Sequence, residues 1–175
     1  PIYGSVTATA HRGSDGEVQW IDGVLEDITE RRQAEAELRA SEERYRALAE
    51  SSPDAIFILD RDTRVEYVNT ATAALWQRTP AELVGRRQSE LYPPEVAQHH
   101  AQIVQGVFDT GHPAHREELQ AYPTGSRCVD ISLVPLFSED GTIRSVMGVS
   151  RDITERKRAE QHLAEALDLN QKMLA

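Results

Sequence analysis

The chain has 175 residues and an acidic balance, 19 Lys and Arg against 29 Asp and Glu, for a formal net charge of −10. That balance argues against a nucleic-acid partner, because phosphate binding needs clustered Lys and Arg. No apolar run approaches the length of a membrane span, so no direct membrane contact is expected. Cys128 is the single cysteine, which excludes an internal disulfide and a thiolate metal cluster. With no signal-peptide pattern at the N-terminus, the expected location is cytoplasmic, whatever membrane segment the parent protein carries elsewhere.

In chain order, Val6 to Ala10 has strand character, Ser14-Asp15-Gly16 is a turn signal, and Val18 to Leu25 is a second strand. Residues 1–28 therefore predict a hairpin. Asp27-Ile28-Thr29-Glu30 opens a helix: Asp27 or Thr29 can cap its free N–H groups, and Glu30 suits the positive end of its dipole. The helix over 29–50 is rich in Glu, Arg and Ala. A thin seam of Arg31, Ala34, Leu38, Ser41, Tyr45 and Leu48 runs along it at alternating spacings of three and four.

The same wording returns 125 positions later. Residues 14–38 and 139–163 are identical at twelve of their twenty-five paired positions, without a gap. A repeat of this kind marks a duplicated building block. One complete unit is expected between the two strand-to-helix joints, over 51–153, and residues 1–28 are expected to be the end of an earlier unit. The second helix, 154–175, continues the seam through Arg156, Ala159, Leu163, Ala166, Asn170 and Met173. The two helices are read as signalling helices of the coiled-coil type that form a homodimer.

Within the complete unit, Ala55 to Asp60 is a candidate central strand and Val65 to Val68 its partner. Asn69 starts a short helix, Thr79-Pro80-Ala81-Glu82 a second, and Pro93-Pro94-Glu95 a third that stops at Gly111. Strands follow over 116–122, over 127–137 and from Ile143 to Val149. In the middle one, Val129, Ile131 and Leu133 alternate with polar residues, which gives one buried face. This order predicts an α+β fold, a five-stranded antiparallel sheet with helices on one face.

Five short stretches carry a family resemblance: Ser52-Pro53-Asp54-Ala55-Ile56, Tyr67-Val68-Asn69-Thr70-Ala71, Glu82-Leu83-Val84-Gly85-Arg86, Asp140-Gly141, and Asp152-Ile153-Thr154-Glu155-Arg156. Together, and in this order, they resemble the PAS sensory domain. The resemblance covers residues 41–156 fully and residues 1–31 as the end of a second such domain. It implies a PAS fold and a sensor module of a multidomain bacterial signalling protein. Its output domain would be a histidine kinase or a cyclic-di-GMP enzyme. It also implies that the sheet drives the exit helix through the joint, with Asp152 and Thr154 bridging strand and helix and Ile153 anchoring them. Asp27, Ile28 and Thr29 would do the same at the first joint.

On the third helix, Val96, Ile103 and Val107 fall on one line at about 100° per residue, with His100 near the middle of the apolar arc. Such a histidine is either a core residue satisfied by one hydrogen bond or the axial ligand of a haem. The resemblance to oxygen-sensing haem PAS domains points to His100, counted from Leu91-Tyr92-Pro93, and to Arg116, counted back from Gly125. The candidate ligand-binding set is thus His100, Ile103, Val107, Arg116, Ile131 and Leu133. The cofactor stays open between haem and a weaker reading of noncovalent flavin. No catalytic or metal-ligating set is legible, and Cys128 is read as a small core residue. The leading functional reading is a module gated by a small molecule. The alternative is a ligand-free dimerisation and relay module.

Overall fold

The computed structural model describes residues 2–174 except 13 and 15, and only the backbone of residues 169–171, 173 and 174. The chain divides into two units, Pro1–Leu48 and Ala49–Ala175. In the first, β1 (Gly4–Arg12) and β2 (Val18–Asp27) form an antiparallel ribbon that leads into helix α1 (Thr29–Ser51). The turn residue Asp15 lies outside the described residues, as do the side chains of Asn170 and Met173 in the seam of α5.

The second unit holds β3 (Ala55–Leu59), β4 (Val65–Val68), α2 (Thr70–Leu75), α3 (Pro80–Leu83), a 3-10 turn over Gln88–Glu90, and α4 (Pro94–Thr110). Strands β5 (Ala114–Tyr122), β6 (Gly125–Phe137) and β7 (Ile143–Asp152) follow, and α5 (Thr154–Leu174) leaves the domain. The sheet order is β4-β3-β7-β6-β5, and every pairing is antiparallel. Leu59, Val65 and Val68 from one half of the sheet and Val129, Ile131, Leu133 and Val146 from the other meet Leu83 and the α4 residues Val104, Val107 and Phe108 in one core.

Strand β5 begins earlier than the sequence suggests, because Ala114 pairs with Leu133 before the polar run starts. Strand β7 continues past Val149, since Asp152 still pairs with Val129. Asn69 organises the N-terminal half of the domain. Fully buried, it accepts from the Ile56 and Thr72 N–H groups and the Thr72 hydroxyl, and donates to the carbonyls of Ala49 and Asp54. One side chain thereby caps α2 and fixes both the start of β3 and the end of α1. Gly148 permits another close approach. A methyl group there would lie 2.1 Å from the Phe57 ring, which packs directly over the glycine across the β3–β7 pair.

The sequence repeat is also a repeat of register. Every Cα pair of β1–β2 reappears in β6–β7 with 125 added to both numbers. The series runs from Gly4↔Asp27 and Val129↔Asp152 to Arg12↔Val18 and Phe137↔Ile143, and includes the irregularity before the last pair. In the second unit these strands are flanked by β5 and β3, whereas the described residues of the first unit add no third strand to the ribbon. Ile21 is 65% exposed where its equivalent Val146 is fully buried, and Val6 is 67% exposed where Ile131 is 9% exposed.

Candidate functional site

The two joints share their hydrogen bonds as well. At the second, Ile153 N–H donates to the Cys128 carbonyl (2.8 Å), Thr154 Oγ1 accepts from Cys128 N–H (3.0 Å), and Asp152 Oδ1 accepts from Thr154 N–H (2.9 Å). At the first, Ile28 N–H donates to the Tyr3 carbonyl (2.9 Å), Thr29 Oγ1 accepts from Tyr3 N–H (2.8 Å), and Asp27 Oδ1 accepts from Thr29 N–H (2.9 Å). Ile153 is buried, while Cys128 is only half-buried and contributes its backbone to the joint. Burial pushes the Asp152 carboxyl upward, but hydrogen bonds from Thr154 and Arg127 outweigh it and leave the group below its ordinary range. At Asp27 the hydrogen bonds from Thr29 lower the carboxyl.

Inside the domain, β5 alternates between two environments. Arg116, Glu118, Gln120 and Tyr122 point toward α4 and line a cavity with His100, Ile103, Val104, Phe57, Leu59, Gln88, Tyr92, Ile131, Leu133 and Ser150. Its volume is about 40 Å³. Between two of these residues stands Glu117, which turns to the other face. It grips Arg156 and Lys157 in the first turn of α5, each at 2.5 Å. Hydrogen bonds from Lys157 and then Arg156 hold the Glu117 carboxyl below its ordinary range.

Five of the six expected ligand-site residues, His100, Ile103, Arg116, Ile131 and Leu133, line the cavity, and Val107 does not. Val107 shares the azimuth of His100, but seven residues farther along the helix it sits roughly 10 Å away, past the cavity and sealed in the core. Val104 lines the cavity instead.

The Nδ1 of His100 is buried without a partner among the described residues. Its Nε2 lies 3.4 Å from Glu118 Oε1, within ion-pair range but without hydrogen-bond geometry. Its ring meets the Tyr92 ring edge-on, with centroids 4.7 Å apart. Burial lowers its pKa, with His99 and Arg116 pushing the same way and Glu118 opposing. A haem needs a flat apolar slot and a free imidazole nitrogen facing the iron. Cofactor pockets run to roughly 300–1,000 Å³. The residues that stand here do not fit a haem or a flavin.

The sequence reading missed the polar members of the wall, Gln88, Tyr92, Glu118, Gln120, Tyr122 and Ser150. On β5 the residues of both faces are largely polar, so hydrophobic alternation gave no cue to which face is inside. Burial raises the pKa of Tyr92 well above its ordinary value and that of Tyr122 to about 12, so both stay protonated hydroxyls. Arg116 donates from Nη1 to His99 Nε2 at 2.8 Å and lies 4.0 Å from Glu118.

This arrangement of sheet, helices and exit joint is that of a sensory domain. Residues 49–158 match the PAS fold, and the chain belongs to that family. It is 34% identical over 145 residues to the two-component sensor PprA of Pseudomonas aeruginosa, covering 82% of this chain and 16% of that protein. Over 122 residues it is 31% identical to the aerobic respiration control sensor protein ArcB of Escherichia coli, covering 69% of this chain and 16% of ArcB. Among solved structures, the PAS domain of an HTR-like protein from Haloarcula marismortui is similar, at 26% identity and a TM-score of 0.55. The match covers 70% of this chain and 99% of that one. The chain thus spans about a sixth of the length of these two sensors. No described helix is long and apolar enough to cross a membrane.

Proposed function

We propose that residues 49–175 form a sensor-relay module in which the occupancy of the cavity is read out by helix α5. The observation that carries this reading is the adjacency of Glu118 and Glu117. One faces the cavity beside His100 and Arg116, and the next residue on the same strand holds Arg156 and Lys157 of the exit helix. A shift of β5 that re-pairs Glu118 necessarily moves the anchor of α5. The joint of Asp152, Ile153 and Thr154 is the second attachment of that helix, and the pair forms a two-point lever.

In this reading the seams of α1 and α5 mediate homodimerisation. Leu38, Tyr45, Leu48 and Leu163 are all more than 60% exposed on a single chain, as a dimer seam requires. The output is a histidine kinase or a cyclic-di-GMP enzyme in the same polypeptide; relatives named as sensors support the former. Residues 1–28 are the closing hairpin of a preceding unit of the same kind, with Asp27, Ile28 and Thr29 as its joint. The register offset of 125 and the bare apolar positions of the ribbon support that assignment.

The test is amide exchange in α5. Glu118→Gln should change exchange over residues 154–160, and Glu117→Gln should abolish that response while leaving the cavity intact. If neither substitution alters exchange in α5, the lever does not exist.

A further inference from the structure

Seven buried side-chain nitrogen and oxygen atoms lack a hydrogen-bond partner among the described residues, and six belong to residues that line this one cavity. They are Gln88 Oε1, His100 Nδ1, Arg116 Nε, Glu118 Oε1, Gln120 Nε2 and Ser150 Oγ. Ser150 Oγ stands beside the Tyr122 hydroxyl without normal hydrogen-bond geometry. Buried polar groups are ordinarily satisfied, so such a concentration marks a place where something else supplies the partners. Gln88, His100, Gln120 and Ser150 are each more than nine-tenths buried as whole residues.

The set specifies what that partner is. It contains both donors and acceptors, and each glutamine can turn either end of its amide inward. The charges on the wall already balance, because Arg116 and Glu118 face each other. A net charge on the guest would therefore leave one buried charge uncompensated. A single water takes roughly 10–15 Å³ of such space, so a cavity of about 40 Å³ admits a guest of only a few non-hydrogen atoms. A second chamber of the same size shares Phe57, Leu59, Gln88 and Tyr92 with the first. Its other walls are apolar apart from Thr72, whose hydroxyl is already bonded to the Ile56 carbonyl and to Asn69. A groove of about 330 Å³ on the outside shares Tyr92, His100, Glu118 and Gln120, which stand between solvent and cavity.

We propose that the cavity takes a small uncharged molecule of about four non-hydrogen atoms that carries a hydrogen-bond donor and acceptor on one edge and an apolar frame on the other, as a short carboxamide does. Its polar edge lies against Gln88, His100, Gln120 and Glu118, and its apolar frame points to Phe57 and Leu59. The proposal rests on the reading of this cavity as the sensing site.

The experiment uses the full 175-residue chain and four probes of one size and shape: acetamide, isobutene, acetamidinium and acetate. Binding is followed by amide chemical shifts of the cavity residues and by thermal midpoint. Acetamide is expected to bind best. Gln88→Leu and Gln120→Leu should each weaken it about tenfold, the worth of one good hydrogen bond. Without probe, both variants should melt no lower than the parent, since an unpartnered buried amide is replaced by an apolar group of similar shape. A preference for isobutene or for either ion would overturn the assigned class while leaving the cavity as a sensing site. Shifts from no probe, with water alone filling the cavity, would overturn the class and the ligand-gated reading together, and the exchange test of α5 would then report on a ligand-free relay.

Discussion

Replacing Asn69 by Ala removes five hydrogen bonds from a fully buried position. Loss of the α2 cap costs about 1 kcal/mol. The Thr72 hydroxyl keeps its bond to the Ile56 carbonyl, so it adds little. The Ile56 N–H and the Asp54 carbonyl lose the partner they have in Asn69, at about 1–3 kcal/mol for each buried group left unsatisfied. The expected loss is about 4 kcal/mol, which for a domain of this size lowers the melting midpoint by roughly 12 °C. Asn69→Ser keeps an oxygen at the cap but cannot reach β3 or α1, so it should recover only about 1 kcal/mol. Urea unfolding followed by circular dichroism measures both variants. A loss below about 1 kcal/mol for Asn69→Ala, with an unchanged denaturant slope, would show that Asn69 does not hold the N-terminal half together.

Gly148→Ala places a methyl group against the Phe57 ring and forces that ring to move, at about 1–3 kcal/mol; a crystal structure with Phe57 unmoved would refute it. Because the folded-state pKa of His100 lies below its ordinary 6.5, with Glu118, His99, Arg116 and the Tyr92 ring as its neighbours, the folded form disfavours its proton. Its contribution is therefore complete above pH 6.5 and is lost as pH falls through the lowered value. His100→Leu should flatten the decline in thermal midpoint on acidification, and parallel curves for the two proteins would contradict this. Thr154→Val leaves Cys128 N–H without its acceptor, and its amide exchange should rise about tenfold by NMR; Thr29→Val should act in the same sense at Tyr3.

The parts of the fold that were legible in the sequence are those governed by local pattern. Val129, Ile131 and Leu133 alternate, and they face the core. The repeated Asp-Ile-Thr opened helices in both copies, with the capping bonds that those residue types make. His100 was legible as a buried histidine because helical spacing gives azimuth. Spacing does not give extent along the axis, which is why Val107 was placed at the cavity and lies beyond it. Gln88 sits in a 3-10 turn with no periodicity to mark its inward face. The approach of Phe57 to Gly148 joins residues far apart in sequence and shows in neither stretch alone. The coiled-coil seams were read from spacing, and Leu38, Tyr45, Leu48 and Leu163 are exposed on the single chain.

Among the described residues, each joint closes these three hydrogen bonds within the hairpin that immediately precedes its helix and the start of that helix. The junction is therefore interchangeable. Splicing Ile28 directly to Thr154 would delete 125 residues and still present the second helix to Tyr3 with the same three bonds. The helix would start at the same residue and carry its side chains at the same azimuth relative to the hairpin. A protein assembled with such couplings can gain or lose whole sensory units in a single step, and the rotational phase handed to whatever follows stays the same.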